Sequence, residues 1–168
     1  TFDKTTVMEG ADVSPATLLQ SRSPSLDLDS LYGNGPQDAA SAKFYEADGL
    51  HLKMGAAQGG PVGYDLPRKP SGEAIIPDPR NDENLAVAQT HAAFIRFHNR
   101  VVDTLPASVP AAQRFKEARK RVTKHYQWMV RTDYLPRICA TYVVTNVFAQ
   151  DRKVSGAGAA PTSTPTMP

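Results

Sequence analysis

The sequence predicts a mainly α chain, one part of a larger all-helical domain, with long irregular Gly/Pro-rich loops and little β structure. Three observations predict it. Two stretches, about Asp82–Leu105 and about Ala111–Tyr134, repeat apolar residues at three- and four-residue spacing. A tract from Asn34 to about Arg80 is broken throughout by glycine and proline, as in "MGAAQGGPVGYDLPRKPSGEA"; so long a loop in a compact domain is unusual unless it is functional or packed on something. Two helices and a long coil do not bury a self-sufficient core, since a chain of this size usually buries about 70% of its surface on folding.

The elements follow in order. Residues 1 to 22 are polar, with a short helix expected around Ser14–Gln20. "SPSLDLDSLYG" (Ser23–Gly33) alternates polar and apolar residues and breaks at Gly33. A small strand or turn is expected at "FYEADGLHLKMG" (Phe44–Gly55). In the first long helix Leu85, Ala88, Ala92, Ile95, Val102 and Leu105 form one apolar stripe, and Pro79 and Pro106 mark its ends. Asp82 and Glu83 suit its N-terminal dipole. In the second, Phe115, Ala118, Val122, Tyr126 and Met129 share a face, Lys116, Lys120 and Lys124 share another, and Pro136 is expected to end it. The short "PASVP" turn makes the two helices neighbours. "ICATYVVTNVF" (Ile138–Phe148) is apolar and reads as strand or helix. The tail from Ser155 reads as irregular.

Composition excludes some classes. The 168 residues are 40% hydrophobic and 21% charged, ordinary for a globular protein. A net charge of +2 offers no basic field for nucleic acid. No apolar run approaches the roughly 20 residues of a transmembrane helix, and no signal peptide is evident. Cys139 is the single cysteine, so no internal disulfide forms. That fits a reducing compartment or a secreted protein built without bridges, and leaves the compartment open. The ends, "TFDKTT" and "TSTPTMP", read like cuts through a longer polypeptide.

Two constellations carry candidate chemistry. Arg80 and Glu83 stand three apart at the mouth of the first long helix. They read either as a local ion pair at a helix start or as a guanidinium held over a reacting oxygen with a carboxylate beside it. In an extended run Ser23, Ser25, Asp27 and Asp29 face together, with Leu26 and Leu28 opposite. That run reads as an edge strand with a wet polar face or as an oxygen-rich site of the kind Ca²⁺ prefers. His91 and His98 are seven apart, about 10.5 Å along a helix, too far to share one zinc. They, like His51 and His125, are expected to be ordinary hydrogen-bonded or packed histidines. Tyr126, Trp128, Tyr134 and Tyr142 are expected as core or rim aromatics.

"DPRNDENLAVAQTHAAFIRFHNRVVDTL" resembles a helix of the animal-type haem peroxidases (the peroxidase–cyclooxygenase superfamily), roughly D-x-R-x-x-E followed by L-x-x-x-H-x-x-F-x-R-x-H-N-R. "EARKRVTKHYQWMVRTDYLPRI" (Glu117–Ile138) is similar to the next helix of that family, and "SPSLDLDSLYG" to its calcium loop before a Y-G turn. Three motifs in the family's order are more specific than any one of them.

The resemblance implies roles. Arg80 matches the distal arginine, which helps polarise peroxide. Glu83 matches a carboxylate that in some members is esterified to a haem methyl. Asn84 stands where members with a sulfonium link carry Met, so that bond is not expected here. Ser23, Ser25, Asp27 and Asp29 match calcium positions. The implied cofactors are haem and Ca²⁺, and the implied partners are H2O2, a donor substrate and the remaining peroxidase polypeptide. The family's distal histidine precedes a stretch resembling "TFD", and its proximal histidine follows one resembling "MPVEF". Residues 1–168 are therefore expected as a fragment of a single haem peroxidase domain between those histidines. Within it, 1–80 is calcium loop and coil, 81–138 a two-helix core, and 139–168 an apolar segment and tail. The implied function is peroxidase chemistry, with this segment alone inactive. The alternatives are a catalytically incomplete, calcium-stabilised structural or interaction subunit, or a fatty-acid dioxygenase or cyclooxygenase-like member.

Overall fold

The computed structural model describes residues 25–57 and 62–149. The expected helix at Ser14–Gln20 and the tail from Ser155 lie outside them. Helices are α1 (Asp29–Tyr32), α2 (Leu85–Thr104), α3 (Arg114–Met129), α4 (Leu135–Ile138) and α5 (Thr141–Ala149). Strands are β1 (Gly55–Ala56) and β2 (Val62–Asp65), one antiparallel pair. The mainly helical expectation is met. Two compact units divide at Lys124/His125.

In the first unit α2 supplies the frame. It begins at Leu85, three residues later than the charge pattern suggests, because Asn84 caps it: the Asn84 side chain accepts from the Val87 N–H at 3.0 Å. Leu105 ends it in an extended conformation, as a residue before proline prefers. Ala88, His91, Ala92, Ile95, His98 and Val102 form its buried stripe, with Leu105 buried just beyond. Leu85, expected on that stripe, is 77% exposed.

The Gly/Pro tract is not a bare coil. A 3-10 turn at Ala42–Phe44, a bridge between Tyr45 and Leu52, the β1–β2 pair and a bridge between Arg68 and Ala74 punctuate it. It delivers Tyr45, Leu52, Leu66 and Ile76 to one core with Leu31, Tyr32, Ala88, Ala92, Ile95 and Val122. Polar atoms inside this core are matched. The Tyr32 hydroxyl donates to His98 Nδ1 at 3.0 Å, and His98 Nε2 donates to the Leu50 carbonyl at 2.9 Å. The Tyr45 hydroxyl donates to the Tyr32 carbonyl at 2.6 Å. Phe115 packs edge-on against Tyr32, Tyr45 and His98. The Asn99 amide pairs with both backbone groups of Leu52, each at 2.8 Å. Burial lowers the pKa of His98 and raises those of Tyr32 and Tyr45, so all three stay neutral. His98 is thus the packed histidine its spacing suggests. His51, nearer the surface, bridges Asp48 and Asp103.

α3 starts after a 3-10 turn, Ala111–Gln113, and buries Ala118 and Val122. Pro136 does not stop the helical path. A π turn, Val130–Tyr134, precedes it and α4 follows through it. A π turn widens the ring of backbone atoms, which is where a residue with no N–H can enter a helix. In the second unit the segment that read as strand or helix forms α5. Arg131 lies over the Phe148 ring at 4.5 Å. The expectation of core or rim aromatics is corrected for Trp128, Tyr134 and Tyr142, which are exposed, as is Met129.

Gly55 is the tightest backbone position: a Cβ there would strike the carbonyl oxygen of Leu66, which the backbone must move to relieve. Gly55→Ala is expected to cost about 1–3 kcal/mol, the usual range for overpacking, read as a lower midpoint in urea with unchanged slope.

Candidate functional site

A dense set of directed polar contacts lies on the turn that feeds α2. Pro79–Asp82 is a 3-10 turn whose N-cap, Asp78, accepts from the Arg80 backbone N–H at 3.1 Å. Proline at the first position suits such a turn, since its missing N–H would be unpaired there. The same Asp78 carboxylate grips the Arg80 side chain, Nε to Oδ1 at 3.0 Å and Nη2 to Oδ2 at 2.7 Å. Asp78 is buried, 3% exposed, while the Arg80 side chain is 42% exposed. The fork uses two of the five guanidinium N–H donors.

Two further residues of the turn are tied down. Asn81 donates through Nδ2 to His91 Nδ1 at 2.8 Å, on the buried face of α2. Asp82 accepts two bonds from Arg68, at 2.7 and 2.9 Å. Arg68 also holds Asp65 at the end of β2 and the Gly72 carbonyl. Its hydrogen bonds keep the Asp65 carboxyl below the usual range. Asp82 therefore serves Arg68, ahead of the helix, rather than the dipole of its first turn.

Glu83 caps the turn, its N–H donating to the Arg80 carbonyl at 3.2 Å, and its side chain is exposed. The carboxylate that meets the guanidinium is Asp78, so the expected Arg80–Glu83 ion pair gives way to a pair two residues apart. Sequence reasoning passed over Asp78, although an Asp-Pro-Arg step offers a cap, a fixed φ and an arginine within reach of the cap. It also passed over Asn81 and Arg68, whose partners are distant in sequence.

The oxygen-rich loop differs more. Ser23 lies outside the described residues. From Ser25 to Asp29 the chain is not extended. Leu26 and Leu28 have φ of +50° and +60°, and Asp29 already begins α1. The alternation that put Ser23, Ser25, Asp27 and Asp29 on one side is therefore corrected: two left-handed leucines turn the loop at every other residue. Asp27 Oδ2 lies 3.9 Å from Arg119 Nη2, beyond hydrogen-bond reach. Asp27 Oδ1 is the one buried side-chain oxygen or nitrogen without a hydrogen-bond partner among the described residues. Among those residues no three His, Cys, Asp or Glu side chains gather as a metal cluster.

A family model described as animal haem peroxidase matches residues 2–166. No curated protein and no solved structure matches the chain.

His91 supplies a test of the turn's floor. Burial pulls its pKa down to about 4, against a smaller opposing pull from Asp78. The unfolded chain binds this proton near pH 6.5 and the folded chain only near pH 4, so stability is lost as pH falls between them. From pH 7.5 to 4.5 this one group is expected to remove about 2–3 kcal/mol. His91→Gln should remove that share of the acid-side slope, read by urea unfolding at the two pH values.

Proposed function

The chain belongs to the animal haem peroxidase family, and from that premise we propose that the Pro79–Asp82 turn carries the arginine of its peroxide site and that the Ser23–Asp29 loop holds a calcium ion. Membership gives the coarse function, a haem-dependent oxidoreductase of the peroxidase type. When bound, haem supplies the redox chemistry that reduces H2O2 and oxidises a donor.

The residues present fit the cofactor. Arg80 and Glu83 stand exposed on one turn, and the exposed side chains of Leu85 and Val87 follow them on α2. Charged and apolar side chains exposed near one helix start are what a macrocycle with charged flanks calls for. Arg80 and Glu83 would hold it, Glu83 being the carboxylate that matches the family's ester position in sequence.

Arg80 does the chemistry this chain can contribute. A guanidinium stays charged at any working pH and presents fixed donors. Aimed at a peroxide oxygen, it stabilises the negative charge that grows as the O–O bond breaks, without reorganising at that moment. The observation that carries the reading is the two-point fork from Asp78, which fixes the guanidinium on an exposed turn. His51 and His98 each engage both ring nitrogens within the fold, and His91 is buried beneath the turn. They support a reading in which these histidines are structural.

The loop also fits its ion. A buried Asp27 oxygen with no partner is a ready ligand for a hard cation, and two left-handed leucines are costs of about 1–2 kcal/mol each that a bound ion would offset. Asp27, Asp29 and Ser25 would supply oxygens, with Ser23 beyond them in sequence.

In the haem-loaded protein Arg80→Ala is expected to lower turnover with H2O2 by about 10²–10³, as for loss of one positioned donor; turnover within twofold of wild type removes Arg80 from the mechanism. The double change Asp27→Ala, Asp29→Ala is expected to lower Tm in calcium and leave it nearly unchanged in chelator. Equal shifts in both buffers mean the aspartates serve the fold alone.

A further inference from the structure

We propose that Asp78 is the positioning residue of the peroxide site, aiming Arg80 and tempering its positive charge. The inference rests on the reading of Arg80 given above. Three contacts tie the turn, but they do different work. Asn81–His91 and Asp82–Arg68 are side chain to side chain and anchor the turn to neighbouring elements. Asp78 touches both the backbone and the guanidinium of Arg80.

The geometry sets direction. Two parallel bonds from one carboxylate fix the plane of the guanidinium, which a single contact leaves free to swing. Asp78 itself cannot swing, being 3% exposed and tied to the Arg80 N–H. The edge of the guanidinium away from the fork is therefore held in one orientation by a short covalent loop of three residues. The same contact sets charge. A guanidinium joined to a carboxylate at 2.7 Å has little net charge at a distance. It donates hydrogen bonds to a neutral peroxide but draws anions weakly. Glu83, three residues beyond Arg80 at the end of the turn and exposed, adds a second negative charge on the same stretch.

The test uses the protein carrying its haem and two probes of the ferric site, sodium azide and neutral imidazole, each followed by the shift of the haem absorption band. Asp78→Asn keeps the shape and removes the charge. Azide is expected to bind about tenfold tighter at low ionic strength, with the gain shrinking as salt is added. Imidazole affinity is expected to stay within twofold, and turnover with H2O2 to fall about 10–100-fold as aim is lost. Asp78→Glu keeps the charge and lengthens the arm, so it should keep wild-type azide affinity and lower turnover. The pair Asp78→Asn, Arg80→Gln removes both charges and should return azide affinity to wild type or below.

Unchanged azide affinity and turnover in Asp78→Asn overturn the proposal. So does tight azide binding that persists in the double variant, for the charge would then not act through Arg80. If Asp78→Asn fails to retain haem, Asp78→Glu and the double variant decide. Wild-type turnover in Asp78→Glu overturns the aiming role, and azide affinity above wild type in the double variant overturns the charge role. If Arg80→Gln alone leaves turnover and azide binding unchanged, the fault lies in the reading of Arg80 rather than of Asp78.

Discussion

A carboxylate taken out of water must find a cation or lose its charge, and Asp78 finds Arg80 two residues along. The placement decides much else. Desolvation of a carboxylate costs several kcal/mol, and only a close partner with good geometry offsets it. Pro79 and the 3-10 turn set the angle at which Arg80 meets the carboxylate. The buried carboxylate and the turn are therefore set together, and the Asn84 cap of α2 follows two residues after the turn. Arg80 is the residue that makes that internal charge tolerable.

That coupling explains why the turn is held at so many points. An isolated surface ion pair is worth at most about 1 kcal/mol and would leave Arg80 mobile. Here the pair is half inside the protein, and its neighbours in the chain are held by buried His91 and by an arginine saturated with carboxylates. Arg68 comes from the Gly/Pro tract, so the tract contributes to the site as well as to the core. Its length is then less puzzling: it carries Tyr45, Leu52, Leu66 and Ile76 inward and Arg68 to the turn.

The sequence was most legible where period alone decides. The buried stripe of α2 follows from spacing, because a helix with one apolar side has one way to face a core. The exception, Leu85, sits in the first turn, where the cap rather than the period sets direction. Pro136 was misleading because local chemistry forbids it in an α-helix but not after a π turn. Contacts between residues far apart in the chain leave no periodic trace: Tyr32 with His98, and Asn99 with Leu52. Arg80 was legible as a candidate through motif, whereas Asp78 was hidden by its own ordinariness as a helix-cap residue. The alternation at Ser23–Asp29 misled for a clearer reason. Period two implies a strand only if the backbone is extended, and two leucines with positive φ break that condition.

Comparison of Asp78 with Asp27 separates a closed site from an open one. Both present carboxylate oxygens shielded from water, and both have an arginine nearby. Arg80 reaches its carboxylate at 2.7 Å with two bonds. Arg119 stops at 3.9 Å from Asp27, held over the Tyr32 ring at 5.2 Å, and leaves the other Asp27 oxygen without a donor. A hydrogen bond to a charged group contributes about 1.5–3 kcal/mol, so the missing one is not trivial for a domain of marginal stability. The Asp78 charge is satisfied from within the chain and needs nothing added. The Asp27 charge is only half answered, and it lies beside two leucines whose backbone is costly to hold. Backbone cost and unmet charge thus fall within the same five residues. In the Asp78 turn the corresponding cost is already met, by two bonds from a guanidinium two residues away.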